Sequence, residues 1–501
     1  MKMRNMLAGI ILCCVALSGC RTTRDILVDY EKDLSIGNYE RACVEVSAKA
    51  KTAGVDQLMW QLLAGSAYYM SGRSAEAIAQ FDAAEDAFEE YDKSSVFERG
   101  GEGLWAMLNN DKSLSYDGGG EDRVFTCLYK AVDYMTQGRI AAARSEFRRA
   151  ALHQEDWIDE RRKDIAAAEE KMEDETAAHL RQNGGNRMEQ ARYVNTILTD
   201  ASFVAEMQKE YGYNVFSSGN LATMRRDDYV NPYLQHLTGI FRWLNSQDRG
   251  NGAAEMLRHA SEIVSNPVVD ADYSDCLNRR PPVNQVWIYA EDGLCPHREE
   301  FVIHLPLILI PYANRYVQYA GVAFPRLKKR AAAAQNWTVR AGHAVQPFSL
   351  LADIDKLVKT EYDVYMRGAV KRELTRAVMK VCAQIAAGIA AEKARERSRD
   401  KAARGEDNRR EQTTFWILKA VQSLFAVADY ATTSADIRSW TSLPKCVRVI
   451  RVERPSDGKI AVDAGAERVE LIVPEGNTIV FLRKPALHAQ TVVKQVTFPN
   501  S

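Results

Sequence analysis

The sequence has no CxxC, no HExxH and no HxH, and its eight histidines stand singly. Zinc and dithiol sites need donors clustered at such spacings, so neither a metal nor a cofactor is expected. Charge of one sign is equally scarce, with a net −1 for the whole chain and −3 once Lys2 and Arg4 are left out. A chain so near neutrality has no general attraction to nucleic acid. Beyond Leu17 no run reaches eighteen uninterrupted apolar residues, the length a membrane-spanning helix needs. The glycines of "SLSYDGGGEDRVFTC" lack the GxxxxGK[ST] spacing and the lysine of a phosphate loop, so a plain loop is expected there. Asp353 with Asp355, and Glu291 with Asp292, are acidic pairs of the kind that cap helices, close turns or form ion pairs. No catalytic residue can be nominated from these patterns, and enzymatic activity stays an open alternative.

What is present begins at the N-terminus. Met1 to Arg4 is short and basic, Met6 to Leu17 is mostly apolar, and Ser18 and Gly19 are small. That apolar run is too short to span a bilayer and suits a secretory signal. The following "ALSGC" resembles a bacterial lipobox, which implies removal of residues 1–19 and diacylation of the Cys20 thiol, with 20–28 as a tether. Ordinary secretion with a coincidental cysteine is the alternative. Arg21 rather than Asp after Cys20 implies the outer membrane as destination, with the lipid bilayer as one partner through acylated Cys20. Several acyl chains hold far more firmly than the marginal single one. Of the other cysteines, Cys276 and Cys295 flank one proline-containing turn region and are the first pair to test for a disulfide.

From 29 to 265 the pattern is helical and repeated. In Gln61 to Phe88, Gly65, Ala67 and Tyr68 fall on a first helix, Gly72 in a turn, and Ala77, Ile78, Phe81 and Ala84 on the inward face of a second. Such a unit resembles a tetratricopeptide repeat, whose small residues let paired helices approach. Weaker copies surround Gly37, Tyr134 to Ala150, and Tyr233 to Ala260. A tetratricopeptide-like α-solenoid is expected, with an irregular helical bundle as the alternative. Asn231 and Pro232 read as a helix start, cap and first position. Tyr68, Tyr134, Phe241 and Trp243 are groove residues for a partner, or else core aromatics.

The second half changes character, giving an α+β multidomain chain overall. Residues 281–352 contain "VNQVWIYAEDGL", "REEFVIHLPLILIPYA" and "YAGVAFPRL", all extended segments. Residues 353–434 are two helices whose linking stretch, "EKARERSRDKAARGEDNRREQ", is too charged to bury, so a helical hairpin with a solvated tip is expected. It serves either as an interface for a partner or membrane surface, or as the helical core of the second domain. Gly388 in its interior implies close approach of another backbone. Residues 435–501 alternate apolar and polar around "SDGK" and "PEGN" turns, as an antiparallel β-sandwich packed with 281–352 would.

Taken together, "VNPYLQHLTGIF", "WIYAEDGLCPHREEFVIHLPL", "VAFPRL", "LTRAVMKVCAQ" and "ADIRSWTSLPKCVRVIRV" resemble a family of uncharacterised bacterial outer-membrane lipoproteins with tetratricopeptide-like repeats. Glu291, Asp292 and Gly293 carry one of its specific elements; Asp436, Arg438, Trp440 and Pro444 carry another. Their physical reading is architectural: Asp436 and Arg438 bond as the chain passes from helix to strand, Trp440 and Leu443 are buried against the β tail, and Pro444 ends the turn. Similar genes neighbour those of curli-secretion-like and peptidoglycan-synthase-activator-like lipoproteins. The resemblance therefore implies a periplasmic scaffold or adaptor that binds an envelope lipoprotein or another periplasmic protein, with self-association left open. A peptidoglycan or glycan binding module and an envelope enzyme are the alternatives.

Overall fold

A computed structural model describes residues 22–52, 54–93, 115–157, 186–212, 229–245, 251–342 and 344–500. Cys20 and the signal segment 1–19 lie outside the described residues, as do residues 158–185 of the charged stretch.

The first half is helical. Helices α1 (Thr23–Ser35), α2 (Tyr39–Ala50), α3 (Gln57–Met70), α4 (Ser74–Lys93) and α5 (Gly120–Thr136) each pack on the next, and α6 covers 140–157. Gly65 lets α3 and α4 close up, since a Cβ there would meet Phe81 Cε1 at 2.4 Å. Gly72 takes φ +78° behind α3, and Arg73 N donates to Tyr68 O at 2.9 Å, a left-handed helix stop. Next come α7 (Asn186–Thr199), α8 (Ala201–Tyr211), α9 (Pro232–Leu244), α10 (Asn251–Ile263) and α11 (Pro267–Leu277).

The strands follow. A five-stranded sheet has the order β11–β10–β1–β7–β6, built from β1 (Gln285–Asp292), β6 (Ser349–Asp353), β7 (Cys446–Glu453), β10 (Asn477–Lys484) and β11 (Val492–Phe498). A four-stranded sheet runs β5–β4–β8–β9, from β4 (Trp337–Ala341), β5 (Ala344–Pro347), β8 (Lys459–Ala464) and β9 (Glu467–Ile472). Val286, Ile288, Ile450, Val452, Val480 and Leu482 on one face of the larger sheet share a core with Trp337, Val339, Ile460 and Val462 of the smaller. The alternate residues, Trp287, Tyr289, Val447, Val449, Ile479 and Phe481, share a core with the helices. Period-two alternation thus buries both faces of the larger sheet, and β1 and β10 are interior almost throughout.

Several expectations change. The strands of 435–501 do not form a sandwich by themselves: β1 sits between β10 and β7, and β4 between β5 and β8. The β1–β10 pair is parallel, the other pairs antiparallel. The segment "REEFVIHLPLILIPYA" is extended only over β2 (His297–His304), which pairs with β3 (Gly321–Lys328). Pro306 diverts the rest into a 3-10 turn at Leu307–Leu309 and the short α12 (Ala313–Tyr316). Cys276 and Cys295 are both free, the second buried.

The helical hairpin is present as α13 (Ile354–Ala403) and α14 (Arg409–Thr432), inserted between the paired strands β6 and β7. Asp353 caps α13 through Lys356 N at 3.2 Å. Fifty residues make α13 about 75 Å long. Its first part is core, with Tyr362, Met366, Val370, Leu374, Val378 and Val381 packed on β2, β3, α7 and α8. Gly388 approaches a ring and not a backbone: a Cβ there would stand 2.4 Å from Tyr316 Cδ1.

Candidate functional site

The motif residues converge on the seam between the helices and the larger sheet. Glu291, 1% exposed, is the last residue but one of β1. Its carboxylate accepts from the Tyr233 hydroxyl at 3.0 Å and the Tyr129 hydroxyl at 3.2 Å. Arg483, its register neighbour on β10, comes within 3.8 Å and donates to the Gly293 and Ser442 carbonyls. Burial pushes the Glu291 carboxyl up, and Arg483 opposes that shift. Asp292 is turned the other way, accepting from Ala334 N at 2.9 Å, and Gly293 takes φ +68° to leave the strand. Asn231 caps α9 through Tyr233 N at 3.0 Å, ahead of Pro232, while its amide donates to Glu121 at 2.8 Å.

Asp436 and Arg438 form the expected two-pronged bond, with both contacts at 2.8 Å. Arg438 also reaches Asp56 of the helical half at 3.1 Å. Trp440 donates from its indole to Ser66 at 2.7 Å and Ser442 at 2.9 Å, and its ring meets Phe81 and Tyr129. Leu443 and Pro444 are buried. The element therefore ties the chain leaving the hairpin to α3, and the Trp440 ring is buried against helices and not, as the sequence implies, against the β tail.

The sequence did not reveal the neighbouring network. Tyr289 Oη lies 2.9 Å from His236 Nδ1, and His236 Nε2 lies 2.9 Å from Asp272 Oδ2. Trp287 Nε1 and Arg451 also donate to Asp272, at 2.9 and 2.8 Å. A Tyr–His–Asp chain has the shape of a proton relay. Here Tyr289, His236 and Asp272 are all 0% exposed, so no substrate reaches them and the network is structural. Lys494 of β11 likewise bonds Asp133 of α5 across the seam. Nothing in the spacing of these residues signals the network, because its members come from helices and strands far apart in the chain.

Two of the four groove residues, Phe241 and Trp243, face the same seam. Phe241 is 1% exposed and packs on Phe147 and on Phe498 of β11. Half-buried Trp243 meets Trp287 of β1 at 6.2 Å. Tyr134 is 8% exposed, with Arg139 over its ring, and half-buried Tyr68 carries Arg73 at 4.7 Å. The aromatic face of the helices is thus filled by the chain's own sheet where Phe241 and Trp243 lie. A cleft beside Gly321, Arg376 and Ser434 has about 10 Å³ of internal room, that of one water, too little for a substrate.

Among the described residues, an apolar face on the hairpin is open to solvent. On α14 the side chains of Trp416, Ile417 and Leu424 are 69%, 57% and 64% exposed. Their spacing places them along one face of the helix, next to the charged turn where Lys401 pairs with Glu411. Among the described residues one mixed donor set, Glu85, Cys127 and His153, is close enough to hold a metal ion.

No protein-family model matches the chain, and neither a curated protein nor a solved structure matches it.

Proposed function

We propose that this chain is a lipid-anchored periplasmic scaffold or adaptor of the outer membrane, held at Cys20 and binding a protein of the cell envelope through an exposed face of its hairpin. In this reading its helix pairs are degenerate tetratricopeptide-like repeats, and the chain is a relative of the lipoproteins it resembles. The observation that carries the proposal is the exposed Trp416–Ile417–Leu424 face along the second helix of the hairpin. Contiguous exposed apolar surface of this kind marks interaction sites, and tryptophan is enriched at their centres. The burial of the Tyr289–His236–Asp272 chain favours binding over catalysis. The groove serves here as an internal joint, so the partner surface moves from Tyr68, Tyr134, Phe241 and Trp243 to α14.

A photo-crosslinking residue placed at 416 or 424 in cells tests this. Adducts to an envelope protein are expected from those positions and not from exposed Val44 of α2. Equal labelling from all three, or none from α14, would remove the hairpin assignment. Intact mass of the membrane-extracted protein, compared with Cys20→Ala, separately tests the anchor: acylation on a chain beginning at Cys20 is expected.

A further inference from the structure

Glu85 on α4, Cys127 on α5 and His153 on α6 bring one donor atom each to a single spot, all within 4.8 Å of one another. Cys127 Sγ is already 3.2 Å from Glu85 Oε1, and two ligands of a tetrahedral ion stand about 3.5 Å apart. The other oxygen, Glu85 Oε2, is held by Lys130 and Arg149, each at 2.7 Å. Those cations therefore lie on the far side of the carboxylate and fix its orientation, as outer partners of metal ligands do.

Charge favours a cation as well. Glu85, Glu146 and Asp82 surround Lys130, and Arg149 bridges two of the three; three carboxylates against two cations leave one negative charge. Arg123 is matched by Asp92 at 2.7 Å and adds nothing. Cys127 is buried, and burial together with Glu85 and Glu146 keeps its proton on. Neutral imidazole is the form that ligates. When an aqueous divalent ion takes up the thiolate, the thiol proton leaves to solvent. The added ion and the lost proton then bring the cluster to neutrality.

We propose that Cys127 Sγ, an imidazole nitrogen of His153 and Glu85 Oε1 bind one divalent ion of the zinc class, leaving its fourth position to water. A sulfur, nitrogen and oxygen donor set selects zinc or cobalt over magnesium and calcium. Glu85 and His153 are half-buried, which gives the ion a path from solvent. Bound there, it clasps three successive helices.

The test uses the purified full chain in detergent, stripped with chelator and titrated with Co²⁺ alone. Expected are one cobalt per chain, a near-ultraviolet thiolate-to-metal band with tetrahedral visible bands, displacement by Zn²⁺ and a higher melting temperature. Cys127→Ser and His153→Ala should each abolish the stoichiometric signal, while Cys276→Ser should keep it. Absence of stoichiometric binding, or binding that survives both substitutions, overturns the site. Should Cys127→Ser fail to fold by circular dichroism, His153→Ala at its half-exposed position carries the test.

Discussion

At the scale of single residues, the seam is defined by carboxylates kept from water. Glu121 is the clearest. Burial, and then the nearby Glu361, push its carboxyl well above the ordinary 4.5, while Asn231 donates to it at 2.8 Å. A carboxylate whose folded pKa is raised binds more protons folded than unfolded, so its contribution falls as pH rises from the ordinary value through the folded one. Glu121→Gln removes that loss. The variant is expected to gain on the wild type as pH rises from 5 to 8, by about 1–3 kcal/mol at the upper end. Urea midpoints of both proteins across that range measure it, and a difference independent of pH would contradict the assignment. Glu467 has the opposite sign: bonds from Lys484 and Thr491 outweigh its burial and lower its carboxyl. Its contribution is therefore lost as pH falls, and it cancels in the comparison.

At the scale of elements, one of the hairpin's contacts with the body is a position that the sequence marked for a different reason. Gly388 leaves room for the Tyr316 ring, whose hydroxyl donates to Glu392 at 2.6 Å. Gly388→Ala should destabilise the protein by about 1–3 kcal/mol through overpacking. With Tyr316→Ala already in place the same substitution should stabilise by about 1 kcal/mol, because only the helix preference of alanine over glycine remains. A double-mutant cycle by chemical denaturation resolves the two terms, and equal effects in both backgrounds would show that the ring is not the constraint. The outer face of the hairpin's second helix obeys different rules: Trp416 and Leu424 face solvent, so substitutions there should leave folding unchanged and act on crosslinking alone.

At the scale of the whole molecule, helices and sheet share one hydrophobic core, from Ile26 through Phe81 and Tyr233 to Phe481 and Phe498. Charged ties cross the same boundary at Arg438–Asp56 and Lys494–Asp133. The two halves should therefore unfold together. Tryptophan fluorescence and far-ultraviolet circular dichroism are expected to give coincident urea transitions; two separated transitions would mean that the seam is a docking contact between independent domains. Deleting 29–260 would expose Trp287, Tyr289 and Phe481, so a partner lost on that deletion would not locate the binding surface.

The local chemistry was legible in the chain. Gly65 and Gly72 marked a helix pair, Asn231–Pro232 a helix start, and Asp436, Arg438 and Trp440 a buried turn, because capping, close approach and short-range ion pairing depend on residues a few positions apart. Pairing was not legible. Neither the parallel β1–β10 contact, nor the His236–Asp272–Tyr289 chain, nor the Glu85–Cys127–His153 set leaves a pattern of spacing, since each joins segments that meet only after folding. The aromatic positions show the division most plainly. Helical spacing left Phe241 and Trp243 as groove residues or core aromatics, and only tertiary structure decided that they would be covered by the protein's own strands: an apolar surface buries against whatever the fold brings nearest.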